Sequence, residues 1–217
     1  MLESLLQILY PSFCPSCKQL TCPSTVLCSS CFGQIQPVTS LILPVTKKYP
    51  LKVIAAGAYR PPLKTLITRK FSEDIIAIKQ LTSIVLHVIP SAHFDVDYLV
   101  PIPLHWTRYA KRGFNQSLEM AKVIRKKTGI PIINLLVRRK RTRFQSQLKK
   151  EEKKNNVENA FSLHWKYRLL GTQSIYGKRI LLVDDLCTTG ETLKSAARII
   201  AHHSPQSLSA IVACRTL

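Results

Sequence analysis

Two adjacent carboxylates, Asp184 and Asp185, stand where the sequence changes from a strand pattern to a helix pattern. The apolar residues before them, Ile180 to Val183, indicate a buried strand, and the apolar spacing of Leu193 to Ile200 indicates a helix. A loop entering a helix N-terminus offers backbone N–H groups to a phosphate, and carboxylates at a strand end can bind sugar hydroxyls or Mg²⁺. The segment therefore predicts a phosphate site beside a sugar or metal site. The loop residues expected to bind the phosphate are Thr188, Thr189, Gly190, Glu191 and Thr192.

The same segment resembles the phosphoribosyl pyrophosphate (PRPP) motif of type I phosphoribosyltransferases. That motif is an apolar strand, two acidic residues, two spacer residues, Thr-Thr-Gly, one variable residue and Thr, and residues 180–192 contain every element. The alternative is a plain strand-to-helix turn in which threonine and glycine serve only as caps. Paired carboxylates disfavour that alternative, because a turn alone has no need of them.

A second group with its own chemistry is a pair of Cys-x-x-Cys motifs near the start of the chain. Two such motifs supply the four thiolates of a closed tetrahedral zinc site, which is a structural rather than a catalytic arrangement. A disulfide framework is the alternative, and the absence of a signal-peptide pattern in residues 1–9 disfavours it. Cys22 lies between the motifs, either as a bystander or as a substitute ligand. The predicted zinc ligands are Cys14, Cys17, Cys28 and Cys31.

The formal net charge of +20, from 32 Lys+Arg against 12 Asp+Glu, favours polyanionic partners. No stretch reaches the roughly 18 apolar residues of a transmembrane helix. Basic runs at 108–127 and 138–154 are interleaved with aromatic residues, on which the bases of a single strand can stack. Such runs are otherwise solvated faces or mobile tails. The aromatic residues are Trp106, Tyr109, Phe114, Phe144 and Trp165, and the predicted nucleic-acid contacts are Arg138, Arg139, Lys140, Arg141, Arg143, Lys149 and Lys150.

A second anion site is predicted in the first basic run, after the strand that ends in Pro101-Ile102-Pro103. A glycine-centred turn at Gly113 can present arginine to a phosphate and begin a helix with Asn115 as its cap. A plain capped helix is the alternative. The predicted anion ligands are Arg108, Lys111 and Arg112. Residues 141–160 lack an apolar period and predict a mobile basic loop that can close over a diphosphate or hold a nucleic-acid strand.

Strand patterns alternate with helix patterns through the larger part of the chain, which predicts an α/β fold with a mostly parallel sheet flanked by helices. We expect a small zinc-ribbon module in residues 1–36, a proline-containing linker in residues 37–50, and the α/β domain in residues 51–217. Residues 1–9 predict a short amphipathic helix covering the module rather than a membrane anchor.

Together these pieces resemble the ComF family, specifically ComFC-type competence proteins. The resemblance rests on the cysteine motifs, Val100-Pro101-Ile102-Pro103, Arg112-Gly113-Phe114-Asn115-Gln116, residues 147–161 and the PRPP motif, in that order along the chain. It implies a zinc finger joined to a type I phosphoribosyltransferase-like domain. It also implies a role in natural transformation, in which the protein handles incoming single-stranded DNA in the cytoplasm, at the inner face of the membrane, together with a helicase-like competence ATPase.

The resemblance further implies that Asp184 and Asp185 hold the ribose hydroxyls or Mg²⁺ of PRPP, and that residues 188–192 cradle its 5-phosphate. Three functions remain open on the sequence. The first is a DNA-uptake factor with a PRPP-binding pocket, the second is an active phosphoribosyltransferase that uses PRPP and Mg²⁺, and the third is a regulator that meets a protein partner through its zinc module. Glu191 places a negative charge beside the expected phosphate, which weakens binding unless its side chain points outward.

Overall fold

The computed structural model describes residues 11–22, 25–69, 75–139, 160–169 and 175–217, without the side chains of Arg69, Lys111, Arg168 and Leu169. Its central feature is a five-stranded sheet of order β1-β2-β7-β6-β3, in which β2, β7, β6 and β3 are parallel and β1 is antiparallel to β2. The prediction of a mostly parallel α/β sheet is therefore confirmed. The strands are β1 (Leu41–Pro44), β2 (Pro50–Ala58), β3 (Tyr98–Pro101), β6 (Arg179–Cys187) and β7 (Ser207–Arg215), and a separate antiparallel pair is β4 (Leu136–Arg138) and β5 (Phe161–Leu163).

Helices cover both faces of the sheet, so its central strands are apolar on both sides. The helices of the described residues are α1 (Ser29–Gly33), α2 (Leu63–Arg69), α3 (Ile75–Val88), α4 (Trp106–Arg112), α5 (Gln116–Thr128), α6 (Trp165–Leu169) and α7 (Glu191–Ala201), with a 3₁₀ turn at Ser91–Phe94. Leu181 and Val183 of β6 face one core, which contains α2, α3 and α5, whereas Ile180 and Leu182 face a second core, which contains α7 and the β4–β5 pair.

Residues 37–50, for which we predicted a linker, contribute β1 to the edge of the sheet. Leu41 is paired with Val53 and Leu43 with Leu51. Leu43 and Val45 are buried in the second core. The prolines at 37, 44 and 50 suggested an irregular connection, but alternate apolar residues between them can cover the sheet, and an edge strand tolerates proline.

Strand β6 is longer than predicted, because it continues through Asp184 and Asp185 to Cys187. Its neighbour β7 runs to Arg215 and pairs with this extension, with Leu186 opposite Cys214. The pairing with β7 therefore determines where β6 ends. Asp184 and Asp185 lie within the last residues of this strand and not in the loop after it.

The cysteine-containing segment packs against the core that contains α2, α3 and α5. Cys14, Leu27 and Cys31 are buried in the cluster that contains α3, and the Phe32 ring meets His87 of α3 edge to face at 5.2 Å. The segment after α1 then joins the sheet, since the Ala58 N–H donates to the Gln36 carbonyl at 2.9 Å. The cysteine module and the α/β domain thus share one hydrophobic core.

At the amino ends of β3 and β6, Asp97 holds the two strands together. Its Oδ2 accepts a hydrogen bond from the Arg179 backbone N–H at 2.7 Å, and its Oδ1 lies 3.4 Å from the Arg179 guanidinium. The hydrogen bonds from Arg179, from its backbone first and its side chain second, lower the pKa of the Asp97 carboxyl. Asp95, whose side chain is largely exposed, pairs with the same guanidinium at 2.6 Å.

The Asp97→Asn substitution is expected to lower the free energy of unfolding at pH 7 by about 1 kcal/mol, because the strand clamp loses its charge-assisted hydrogen bonds. A lowered folded-state pKa stabilises the fold above the unfolded-state pKa, and this contribution disappears as the pH falls through the folded-state value. Urea unfolding of wild type and variant should therefore converge in acid. Asp95→Asn is the control, and an equal loss in that exposed variant would contradict the assignment.

Candidate functional site

Asp184 lies at the carboxyl end of β6, beside the end of β3. Pro101 of β3 is opposite Val183, and the Ile102 N–H donates to the Val183 carbonyl at 3.0 Å. Asp184 Oδ1 accepts hydrogen bonds from the Ser117 hydroxyl at 2.8 Å and from the Asp185 backbone N–H at 3.0 Å. One carboxylate oxygen is therefore fixed by the protein at the sheet edge where open α/β folds bind ligands.

The turn between α4 and α5 sets the position of Ser117. Gly113, at φ +73°, ends α4, and its N–H donates to the Tyr109 carbonyl. Asn115 then caps α5, as predicted: its Oδ1 accepts from the Ser117 N–H at 3.2 Å, and its Nδ2 donates to the Ile102 carbonyl at 3.0 Å. One side chain thus joins the start of α5 to the loop after β3, and this places the next hydroxyl against Asp184.

Ser117 is a site residue that the sequence analysis missed, since the recognised pattern stops at Gln116. No local pattern marked it, because its partner Asp184 lies 67 residues away in the chain. Phe114 was expected to be a stacking aromatic, but it is buried in the core that contains α2, α3 and α5. The apolar position in this turn therefore anchors the turn and does not meet a ligand.

The loop from Thr188 to Gly190 connects β6 to α7 under tight steric limits. Gly190 has φ +77°, and a Cβ at this position would lie 2.5 Å from Leu43 Cδ1 of β1. Both constraints require glycine. Gly190 is also the N-cap of α7 and brings no side chain to it, so the first turn faces the loop with its backbone. Glu191 lies 4.0 Å from Lys194 on the same helix, which offsets the negative charge that was of concern.

Arg138 of β4 belongs to this site, although the sequence grouped it with the nucleic-acid-binding run. It is half-buried, with its guanidinium 5.2 Å from the centre of the Phe161 ring. Burial and the neighbouring Arg108 lower the pKa of Arg138 to about 10, while Asp184 acts in the opposite direction. Arg138 remains charged at neutral pH and lies within electrostatic range of both residues. Its sequence neighbour Arg139 is exposed.

Arg108 and Arg112, predicted as a second anion site, both lie on α4 and are partly buried. Burial lowers the pKa of the Arg112 guanidinium. Arg108 and Asp184 both act on the pKa of Arg138, so the residues predicted for the second anion site and for the first lie in one region. The Lys111 side chain and the predicted contacts Lys140, Arg141, Arg143, Lys149 and Lys150 lie outside the described part of the chain, as does Phe144.

Cys187 lies within the motif, but its thiol is buried. Burial first, and the charge of Asp184 second, raise the pKa of Cys187 to about 11. A thiol with this pKa is protonated at neutral pH and is a poor nucleophile. Cys187 packs against the second core and is not a candidate for covalent catalysis.

The four cysteines predicted as zinc ligands converge. The sulfur atoms of Cys14, Cys17, Cys28 and Cys31 all lie within 4.8 Å of one another. Tetrahedral zinc with bonds of about 2.3 Å requires sulfur atoms about 3.8 Å apart, so the group fits such an ion with a small contraction. Cys22 is exposed and is not part of the group. The cluster can hold a metal such as zinc, and its four protein ligands leave no open position for chemistry.

The parallel sheet, the acid pair at the end of β6 and the Thr-Thr-Gly loop before α7 define a type I phosphoribosyltransferase-like domain, which carries a cysteine module of metal-binding type. The phosphoribosyl transferase domain family model matches residues 110–217. Glutamine PRPP amidotransferase from Bacillus subtilis overlaps 62% of this chain and 25% of its own, at 16% identity and a TM-score of 0.39.

Three relatives extend the comparison beyond that domain. The chain is 28% identical to Competence protein F of Haemophilus influenzae, over 90% of this chain and 86% of that protein. It is 29% identical to DNA utilization protein YhgH of Escherichia coli, over 94% and 90%. It is 34% identical to Competence protein ComFC of Bacillus subtilis, over 65% and 55%. These relatives, together with the matched domain, support the assignment of the chain to the ComF family. Within the described ranges, no helix has the length and hydropathy that crossing a membrane requires.

The Cys31→Ser substitution is expected to remove bound zinc and to lower the melting temperature of the whole protein, because the cysteine module shares its core with α3. Elemental analysis should find about one zinc per chain in wild type and a large loss in the variant. Cys22→Ser is the matched control and should keep the zinc. Equal zinc loss in both variants, or a chelator-treated protein that melts like the untreated one, would contradict this metal site.

Proposed function

We propose that this protein is a competence factor for natural transformation, which binds incoming single-stranded DNA in the cytoplasm and carries a PRPP-binding pocket at the carboxyl ends of β3 and β6. The competence role is supported by the relatives, two of which are named competence proteins and one a DNA utilization protein. DNA binding is supported by the net charge of +20. The expected place of action is the inner face of the cytoplasmic membrane, beside a helicase-like competence ATPase.

The PRPP pocket is supported by one observation above the rest: Asp184 is fixed by Ser117 at the strand end that leads into the Thr-Thr-Gly loop. In this proposal Asp184 and Asp185 hold the ribose hydroxyls of PRPP or its Mg²⁺, which prefers oxygen ligands. The loop from Thr188 to Thr192 and the first turn of α7 receive the 5-phosphate through backbone N–H groups and hydroxyls.

The arginines of this region have a separate role in the proposal. Arg108, Arg112 and Arg138 neutralise the diphosphate of PRPP, for which planar guanidinium groups are well suited. The guanidinium groups of Arg108 on α4 and Arg138 on β4 repel one another. An anion bound near both groups would lower the electrostatic energy of the pair.

An active phosphoribosyltransferase is the second candidate. It is favoured by the same arginines, because a group that binds the diphosphate in the ground state can also stabilise it as it leaves. The transfer would break the bond between C1 of the ribose and the diphosphate oxygen and form a bond to an acceptor. Positioning and charge supply most of such catalysis, so a general base is not required to keep this candidate.

The metal module completes the proposal as a structural brace. Four thiolates enclose the ion and leave no position for substrate. The packing of Cys14 and Cys31 against the α3 layer means that zinc stabilises the domain that carries the pocket. A role as a docking surface for a protein partner is the alternative for this module.

Calorimetry with PRPP and Mg²⁺ tests the pocket. The Asp184→Asn/Asp185→Asn variant should lose detectable binding. Arg138→Gln should weaken the affinity on the order of tenfold or more, because a partly buried charge-assisted contact to phosphate is lost. Arg139→Gln, one residue away but exposed, should bind PRPP like wild type. Equal losses in the two arginine variants would contradict the placement of Arg138, and turnover with a purine or pyrimidine base would favour the transferase candidate.

A gel shift with single-stranded oligonucleotides tests the DNA function independently. The affinity should fall steeply as salt rises, because cations released from the DNA backbone drive the binding. The Asp184→Asn/Asp185→Asn variant should bind DNA at least as well as wild type, since it removes negative charge. Absence of binding at low salt would remove the DNA-binding proposal while leaving the PRPP pocket untouched.

A further inference from the structure

The chain has two tryptophans, and both present their rings to solvent. Trp106, the first residue of α4, is 72% exposed, and Trp165, the first residue of α6, is 60% exposed. Tryptophan is on average a highly buried residue, because its large apolar surface is costly to hydrate. Exposure of every tryptophan in a chain with an extensive core is therefore a feature that calls for a ligand.

The two tryptophans are held in the same local arrangement. Each follows a histidine whose Nδ1 accepts the backbone N–H two residues later: His105 accepts from Thr107 and His164 from Lys166, both at 3.4 Å. The indole ring then lies against the imidazole ring, with centroids 5.8 Å apart in both cases and interplanar angles of 38° and 32°. In each case the histidine caps the helix and its ring contacts the tryptophan. The position of the indole ring is therefore set before a ligand binds, and the ring remains exposed to solvent.

A cation lies over the second ring, and a second aromatic side chain lies near the first. Lys166 Nζ lies 5.7 Å from the centre of the Trp165 ring. Arg108 follows Trp106 by two residues on the same short helix, and Tyr109, at the i+3 position from Trp106, is 52% exposed. An aromatic face beside a cation suits a nucleotide, since the ring stacks on the base and the cation meets the phosphate.

We propose that Trp106 and Trp165 are two stacking posts on which bases of single-stranded DNA rest, with Tyr109 extending the first post. This inference rests on the proposed DNA-binding function and assigns it to particular residues. The partner is single-stranded rather than double-stranded, because the base faces in a duplex are already stacked on one another. The first post is on the same short helix as Arg108, whose charge acts on Arg138 together with that of Asp184.

Intrinsic fluorescence can follow each post separately. Trp165→Phe leaves Trp106 as the single tryptophan, and Trp106→Phe leaves Trp165. Titration with oligothymidylate should quench the emission of both single-tryptophan variants. A strand of the same length with abasic sites keeps the phosphates but offers no bases, and it should quench much less at equal saturation. Equal quenching by the two strands would overturn the proposal.

Affinity measurements on alanine variants provide the second readout. Trp106→Ala and Trp165→Ala should each weaken oligothymidylate binding on the order of tenfold, whereas the phenylalanine variants should retain most of the affinity because they can still stack. Tyr176→Ala is the matched control: Tyr176 is 70% exposed and precedes the amino end of β6, whereas Trp106 follows the carboxyl end of β3. It should bind like wild type.

Wild-type affinity in both tryptophan-to-alanine variants would overturn the stacking posts while the DNA function stands. Loss of the same size in Tyr176→Ala would also overturn them, as it would point to a general surface effect. If thymidine monophosphate quenched the emission at the same concentration as the oligomer does, the ligand of the tryptophans would be a mononucleotide, and the proposal of a bound strand would be wrong. A wild-type protein that binds no single-stranded DNA would instead count against the proposed function itself.

Discussion

The side chain of Asn115 is the contact on which the arrangement of the site depends. Its two hydrogen bonds, to the Ser117 N–H and to the Ile102 carbonyl, join the start of α5 to the end of β3. Each bond contributes only about 1 kcal/mol to stability. Their effect on geometry is larger, because they leave the Ser117 hydroxyl within 2.8 Å of Asp184 on the neighbouring strand. The residues around Asn115 each serve this contact: Gly113 ends α4 and Phe114 anchors the turn in the core.

A second support comes from the edge of the sheet. Leu43 of β1 packs so closely on Gly190 that a Cβ there would require the leucine side chain to move. The loop from Thr188 to Gly190 therefore packs on a strand that lies far from it in sequence. The Thr216 hydroxyl also donates a hydrogen bond to the Thr188 carbonyl. The loop is short and glycine-containing, yet its path is determined by neighbours on both sides. A preorganised loop loses less conformational entropy when a ligand binds.

The features that could be predicted from the sequence are those encoded locally. The Cys-x-x-Cys pairs, the Thr-Thr-Gly loop and the cap at Asn115 depend on a few adjacent residues, and the apolar run at 180–183 predicted a buried strand. The remaining features depend on partners distant in sequence. The length of β6 is set by β7, and β1 could be recognised only through its pairing with β2. Arg138 was indistinguishable from Arg139 in a basic run, because only the β4–β5 pair directs one inward and leaves the other in solvent.

Arg138 and Arg139 are adjacent in sequence but lie in different electrostatic environments, since Arg138 is partly buried and Arg139 is exposed. Burial first, and the neighbouring Arg108 second, lower the pKa of Arg138, whereas Asp184 raises it. Arg108 and Arg138 therefore repel one another, and the Asp184 carboxylate reduces the cost of holding the Arg138 charge in this partly buried position. Repulsion between exposed arginines would be screened by water and salt and would store little energy. The partial burial of Arg138 beside Phe161 therefore makes its charge more sensitive to Arg108 and Asp184 than the charge of an exposed arginine such as Arg139 would be.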